Sequence, residues 1–345
     1  MTIFDYRTLT RAAELIPTPP SLLLDTVFAT KVTFPTETVE LHRLEGTRLL
    51  LPESDLYESA QYLSQPTREA IVATASTFRA REPILAGELF RRQFGTSPYV
   101  ESTAQAESGL EAEVRRRLTL LQNARRRREE YLAAKAIQGS VQYRGGNVTV
   151  NFNVPAEHQF AGATGNSWRS GRNPFMDLRD WQMKVADATG VAANLAILGT
   201  TAAQLLLQHA DYQKYLHTLH AQIGEIRPAI QGPARALGTL WGMQLWEYGA
   251  TYVDGGTATP FFPADAVVVL AASPDFFEMW YAAVPIIDST NPAAPQARLF
   301  QGEFLVQAYR HPDWSVQAYF IELISRPFPV LKFGKAVFIA TNLNA

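Results

Sequence analysis

The chain has 345 residues, 47% apolar and 19% charged, with a formal net charge of -2; that is a folded composition, too long for one small core and suited to one large or two to three interlocked domains. Near-neutrality argues against a general polyanion binder, because wholesale phosphate neutralisation needs a basic face. The absence of cysteine removes disulfides, thiolate metal sites and thiol nucleophiles together, and fits either a reducing interior or a protein meant to survive outside a cell.

Residues 1 to 31 alternate polar and apolar positions without a strong period, and Pro17, Pro19 and Pro20 interrupt any helix. A short helix is predicted near Thr8 to Leu15, followed by an extended arm. The apolar run Leu22 to Leu24 is far too short for a secretory leader, and none is expected. From Val32 to Leu51 the pattern is strand-like: Val32, Phe34, Val39, Leu41 and Leu44 lie among threonines and charges, with Gly46 as a turn. Residues 52 to 103 are the least globular part. Pro52, Pro66, Pro83 and Pro98 punctuate them, and only Ile71, Val72, Phe78, Ile84, Leu85, Leu89, Phe90 and Phe94 offer much burial. Such a segment needs a task of its own, or a partner that covers it.

A helix-sized stretch follows from Glu107 to Ala136, carrying Arg115 to Arg117 and Arg125 to Arg128. Arginine outnumbers lysine 25 to 6 over the whole chain, a bias that suggests a GC-rich or thermophilic host. The helix keeps a thin apolar stripe of Leu110, Val114, Leu118, Leu121 and, after a break, Leu132. So narrow a stripe fits one underlying sheet with charge on every other face. Gly139 ends the helix. Val141 to Asn153 is a hairpin signal, with Gly145-Gly146 able to take the positive φ of a tight turn and Val148, Val150 and Phe152 alternating with polar residues. Residues 156 to 172 read as a Gly/Ser/Asn-rich loop around Trp168.

Asn173-Pro174 supplies an N-cap and a proline at the first helical position, and Phe175, Leu178, Trp181, Met183 and Val185 carry that helix to Gly190. Leu195 to Leu198 reads as a buried strand. Thr200 or Thr201 caps another helix whose Leu205, Leu206, Tyr212, Leu216 and Leu219 face inward. Leu240 to Val253 is strand-like, Asp254-Gly255-Gly256 turns it, and Ala266 to Leu270 returns; that apolar run, to Ala272, cannot span a bilayer. Residues 284 to 302, with Pro285, Pro292 and Pro295, are expected to form a loop. Two strands close the chain. Trp314, Val316, Ala318 and Phe320 alternate with polar partners, Arg326-Pro-Phe-Pro329 intervenes, and Val330 to Ala340 follows.

No catalytic residue, cofactor site or metal site is expected. His209, His217 and His220, with Asp211 nearby, invite a metal, but on a helix His209 sits about 80° from His217, and no Glu lies between paired histidines as in zincins. A surface or packing role is the better reading. Gly165-Asn-Ser167-Trp-Arg169 lacks the second glycine of a nucleophile elbow, and Gly334-Lys335 lacks the rest of a phosphate loop. Glu129 and Glu130 are adjacent on a helix, point apart, and cannot act as an acid/base pair. Glu107, Glu111, Glu113, Glu129 and Glu130 share their segment with the seven arginines, which favours ion pairing within and between subunits over nucleic-acid binding. Trp168, Trp181, Trp241, Trp246, Trp280 and Trp314 read as core or interface anchors.

Several stretches together carry a family resemblance. They are Arg115-Arg-Arg-Leu-Thr-Leu-Leu-Gln-Asn-Ala-Arg125 with Glu129-Glu-Tyr-Leu132 and the Lys135-Ala-Ile-Gln-Gly139 exit, then Asn147-Val-Thr-Val150 and Trp168 before Asn173-Pro174. Further on come Tyr252-Val-Asp-Gly-Gly256, Phe262-Pro-Ala-Asp265 running into Val267-Val-Val-Leu270, and the end strands bracketing Arg326-Pro327. In this order the chain resembles the major capsid proteins of tailed bacteriophages, specifically the lambda-type family of phage major capsid protein E.

The resemblance implies an α+β, Hong Kong ninety-seven-like major capsid fold. Its parts would be an N-terminal arm at 1–31, the first strand of a peripheral domain at 32–45 and an extended loop at 46–103 that laps onto a neighbour. The peripheral domain with its spine helix and hairpin would occupy 104–173. An axial domain meeting its symmetry mates would fill 174–300, and C-terminal strands of the peripheral domain 301–345. The implied function is a head protein that self-assembles as pentamers and hexamers into an icosahedral shell around a double-stranded DNA genome, in the virion after assembly in host cytoplasm. Each subunit would bury its arm, its excursion and its axial edges against neighbours. The implied partners are further copies of the chain, a scaffolding protein, a portal protein, in some shells a decoration protein, and packaged DNA contacted without sequence preference, with no membrane. Residues 1–31 are too short for a built-in scaffolding domain, so scaffold is expected from another protein or to have been removed. The alternatives are an encapsulin-like compartment on the same fold, a DNA-binding protein using the arginine helix, and a metal-dependent hydrolase using His209, His217 and His220.

Overall fold

The computed structural model describes residues 5–18, 21–44, 68–85, 103–143, 148–214, 230–231, 234–254, 256–288, 296–311 and 318–345. Gly46, Pro52, Pro66, Leu89, Phe90, Phe94, Pro98, Gly145-Gly146, Leu216, His217, Leu219, His220, Gly255, Pro292, Pro295, Trp314 and Val316 lie outside these residues.

Leu9, Thr10 and Ala13 form one buried stripe of helix α1 (Tyr6–Glu14). Helix α2 (Leu22–Thr26) buries Leu22, Leu23 and Leu24. An extended arm is the expectation here, and the structure differs because five residues are too few to show a helical period. This part of the arm packs on its own subunit: Leu22, Leu23, Leu24, Val27 and Phe28 enter the chain's main core. Strands β1 (Lys31–Thr33) and β2 (Thr38–Leu44) follow. Of the expected extended loop, residues 68–85 are described and form β3 (Arg68–Thr74) and β4 (Phe78–Leu85). β2 and β3 pair antiparallel from Thr38 opposite Thr74 to Leu44 opposite Arg68.

The arginine-rich segment is a 35-residue helix, α3 (Thr103–Ile137), and Gly139 at φ 91° ends it. β5 (Ser140–Tyr143) and β6 (Val148–Asn151) form the expected hairpin, and β7 (Gln159–Ala161) is short. Helix α4 (Pro174–Thr189) starts and stops on its predicted caps: the Asn173 side chain accepts from the Phe175 and Met176 amides, and Gly190 takes a left-handed φ of 79°. β8 (Leu195–Leu198) is buried throughout, and α5 (Thr200–Gln208) buries Ala202, Ala203 and Leu206.

The strands β9 (Ile230–Gln231), β10 (Ala234–Leu240), β11 (Met243–Tyr248), β12 (Thr251–Asp254), β13 (Thr257–Pro260) and β14 (Val267–Leu270) come next. Here the single strand expected from Leu240 to Val253 is divided: Trp241 and Gly242 both take positive φ and turn β10 back onto β11, and residues 249–250 separate β11 from β12. The return partner of β12 is β13; β14 instead pairs with β8 and with the last strand. β15 (Phe277–Tyr281), β16 (Val284–Asp288), β17 (Gln296–Phe300), β18 (Leu305–Arg310), β19 (Ala318–Ser325), β20 (Pro327–Leu331) and β21 (Val337–Thr341) complete the chain. Two expectations are corrected here. The loop expected at 284–302 contains an antiparallel ribbon, β16–β17, and Arg326-Pro-Phe-Pro329 runs straight into β20. Proline is tolerated in both places because β20 is the outer strand of the sheet β1-β15-β20 and β16 belongs to a two-stranded ribbon; an edge position does not need every N–H.

A seven-stranded sheet of order β7-β21-β14-β8-β11-β10-β9 organises the middle and end of the chain. Its central strands feed two cores. Leu195, Ile197, Val268, Leu270 and Val337 face one, shared with the C-terminal half of α3. Ala196, Leu198, Val267, Val269 and Phe338 face the other, under α4 and α5. That double burial is why β8 and β14 are continuously apolar rather than alternating. A third core lies between α1, the N-terminal half of α3 and the sheet β18-β19-β4, where Leu9, Val114, Leu118 and Leu121 meet Ile84, Val306, Ile321 and Leu323. Each buried leucine there stabilises the fold by about 1.5–3 kcal/mol.

Candidate functional site

Charge and burial meet on α3. In its first half the thin stripe is as expected, with Arg115, Arg116 and Leu120 exposed around it. From Arg125 onward the expectation of charge on every other face fails. Leu132, Ala133, Ala134, Ala136 and Ile137 are all buried, and so are Arg126, Glu129 and Glu130. The physical reason is that α2 and the β15–β20 region close over this end of the helix, and the enclosed side chains find polar or charged partners on α2, on β11 and on α3 itself.

Glu130 binds the arm. Its Oε1 accepts from the Leu23 amide at 3.1 Å and from the Tyr248 hydroxyl at 2.8 Å, and its Oε2 accepts from the Leu24 amide at 3.1 Å. The carboxylate thus satisfies amides in the first turn of α2 that have no partner within that helix. Burial pushes the Glu130 carboxyl above its ordinary value, with the Leu23, Tyr248 and Leu24 hydrogen bonds pulling the other way. Burial likewise raises the Tyr248 hydroxyl, and Glu130 beside it adds to the rise. On the next turn back, Arg126 pairs with Asp25 of α2.

Glu129 points elsewhere, as adjacent helical positions must. Its Oε1 accepts from Arg125 Nη1 at 2.9 Å, while Arg125 Nε donates to Gln122 Oε1 at 2.9 Å. The Arg125 guanidinium also lies 4.5 Å from the Phe304 ring centroid and 3.6 Å from Glu303 Oε2. Glu303 in turn accepts from Lys31 Nζ at 2.8 Å. Glu129 Oε2 has no hydrogen-bond partner among the described residues. Burial raises the Glu129 carboxyl despite the opposing pull of Arg125. This chain of charges joins α3 to the segment before β18 and to β1.

A second tie lies at the roots of β2 and β3. Arg326 is buried and donates from Nη1 to the Ala283 carbonyl at 2.7 Å, and from Nη2 to the carbonyls of Glu37 and Ala75 at 3.1 and 3.2 Å. Burial lowers its pKa from the ordinary guanidinium value, against the pull of Glu37. Sequence reasoning did not single out Arg326 for this. The signal was present: an arginine between Ile321 and Leu331, in a mostly apolar run, needs acceptors close by.

His209 Nδ1 lies 4.0 Å from Asp211 Oδ2, and His217 and His220 lie outside the described residues. No group of three or more His, Asp or Glu could hold a metal ion among the described residues. Ser167 is buried and its Oγ donates to the Ala345 carbonyl at 2.6 Å. Lys335 sits in the turn Gly334–Ala336. Trp168 stacks on Trp181 at 5.8 Å and donates from Nε1 to Asp177 Oδ2 at 2.9 Å, a packing role. Trp246 and Trp280 are also buried. Among the described residues, no helix is long and apolar enough to cross a membrane.

What this arrangement can do is tie distant elements of the chain together while leaving charged and apolar faces outward. Its likeness to known proteins agrees. The structure is similar to the capsid protein of a prophage of E. coli CFT073, with a TM-score of 0.63, 17% identity, and 96% of each chain covered. It is also similar to a phage-related protein of Bordetella bronchiseptica RB50, with a TM-score of 0.56, 12% identity, and 99% of this chain and 98% of the other covered. No curated protein sequence matches the chain. The sequence model described as phage major capsid protein E matches residues 5–342, nearly the whole chain, with the α+β fold and long charged helix expected of such a subunit. The chain belongs to the phage major capsid protein E family.

Proposed function

We propose that this chain is the shell subunit of a tailed bacteriophage, assembling as pentamers and hexamers into an icosahedral capsid around double-stranded DNA. The observation that carries the reading is the family match over residues 5–342. It acts by contact, not by catalysis. Repetition supplies the energy: interfaces of about 1,000 Å² each become decisive when one subunit makes several at once. Within this reading, residues 1–31 are the arm, 32–45 the first peripheral strand, 46–103 the extended loop, 104–173 and 301–345 the peripheral domain, and 174–300 the axial domain. Leu23, Leu24 and Asp25 of the arm are tied to their own subunit by Glu130 and Arg126 and β4 of the loop is paired with β19, so in this reading the rest of the loop and the axial edges are the surfaces that neighbours cover. Scaffold, portal and, in some shells, decoration proteins are the further partners, and assembly precedes the virion in host cytoplasm. Arg115, Arg116, Arg127 and Arg128 are exposed, and any DNA contact through them is non-specific and weakens steeply with salt.

Negative-stain electron microscopy of the overexpressed chain, with and without a candidate scaffold, tests the reading. Closed shells of uniform size are expected. A chain that stays monomeric at high concentration in both conditions would refute it. An encapsulin-like compartment shares the fold, and a cargo gene beside this one, without a portal gene, would mark that alternative.

A further inference from the structure

The ribbon β16–β17 carries an apolar face that its own subunit leaves open. Pro285 stands opposite Leu299 and Ile287 opposite Ala297, and alternation along a strand puts these four side chains on one side. All four are exposed, Ile287 at 74% and Leu299 at 51%. None is charged. The opposite side is anchored: Val284 is buried, and Ile286 and Phe300 pack against it with Leu305 and Ile324. One face therefore fixes the register while the other is presented to solvent in a set geometry. β16 and β17 pair only with each other among the described residues. An isolated two-stranded ribbon is marginal in water, and proteins usually guard such edges with charge. Here Pro285 removes one N–H from β16, and the exposed apolar face is the feature that a contact would cover.

We infer that the Pro285, Ile287, Ala297 and Leu299 face is a docking surface for another copy of this chain. Its size identifies the occupant. Four side chains of this kind present on the order of a few hundred Å², well below the roughly 800 Å² per partner of a stable two-body complex. A separate partner docking here alone would not stay. A second copy, held alongside by its other contacts in a closed assembly, meets the face at high effective concentration, and a small contact then suffices. The inference rests on the shell reading.

The absence of cysteine makes the test direct. A benzophenone maleimide attached to an Ile287→Cys variant is irradiated in assembled particles and in unassembled chain. Chain-to-chain products are expected in the particles alone. In parallel, Ile287→Asp with Leu299→Asp is expected to lower particle yield about tenfold or more while the melting temperature of unassembled chain is unchanged. Leu120→Asp, on α3 and 49% exposed, serves as the comparison and is expected to keep wild-type yield. Particles whose Ile287→Cys label reacts only within its own chain, or a double variant assembling at wild-type yield, overturn the inference and leave the shell reading standing. A wild-type chain that forms no particle with or without scaffold overturns both.

Discussion

Glu130 replaces, with one side chain, partners that three separate groups would otherwise lack. Changing Glu130→Ala strands the Leu23 and Leu24 amides and the Tyr248 hydroxyl in a buried site, at about 1–3 kcal/mol for each unsatisfied group. The unassembled chain should lose roughly 3–5 kcal/mol in urea unfolding, and protease should cut faster within residues 21–28. Glu130→Gln should cost less, because its one remaining oxygen still accepts; equal losses would mean that the carboxylate is not the arm's anchor. Glu130 and its neighbour Glu129 also set a pH dependence. Burial raises Glu129 and Glu130 above 4.5 in the folded chain, so between 4.5 and their raised values the folded state binds more protons than the unfolded one. Their contribution is therefore fully present below about pH 4.5, is lost as pH rises through the raised values, and levels off above them. Glu129→Gln should flatten that part of the urea-midpoint profile. An unchanged slope would remove Glu129 from the account.

Among the elements, those that repeat a period over several turns were legible before any coordinates. α3 showed in its spaced leucines and α4 in Asn173-Pro174 and Gly190. The misses share physical causes. α2 is shorter than the window in which a period can be recognised. Prolines at 83, 285, 327 and 329 read as breaks, yet all four lie in strands that sit at a sheet edge or in a ribbon, where the missing N–H is not needed. Trp241 bends the chain with a positive φ that a bulky residue rarely adopts. Close packing between elements also makes a prediction. A Cβ on Gly199, between β8 and α5, would run into the carbonyl oxygens of Pro263 and Ala264. Since backbone cannot step aside cheaply, Gly199→Ala should destabilise the chain by about 1–3 kcal/mol, read as a lowered melting temperature. An unaltered melt would show that this junction yields.

At the scale of the whole molecule, the resemblance brought the family and fold within reach of the sequence, but the internal ties did not come with it. Arg126 meets Asp25, and Glu130 meets Leu23, across about a hundred residues of chain, and no local pattern announces such partners. One consequence separates an arm that belongs to its own subunit from one that mainly serves a neighbour. Deleting residues 1–18 uncovers the core that Leu9 and Ala13 close with Val114 and Leu118. The unassembled chain should then lose about 3 kcal/mol or more, measured by urea unfolding before any assembly. A truncated chain as stable as the parent would return the arm to its neighbour. Arg326 has a wider reach. Glu37 and Ala75 sit at the feet of the β2–β3 pair, and Ala283 directly precedes the ribbon. One planar guanidinium grips all three carbonyls. A pull that a neighbour exerts on the pair is thus felt at the ribbon: either both surfaces travel as one piece, or the grip opens and two buried carbonyls go unanswered.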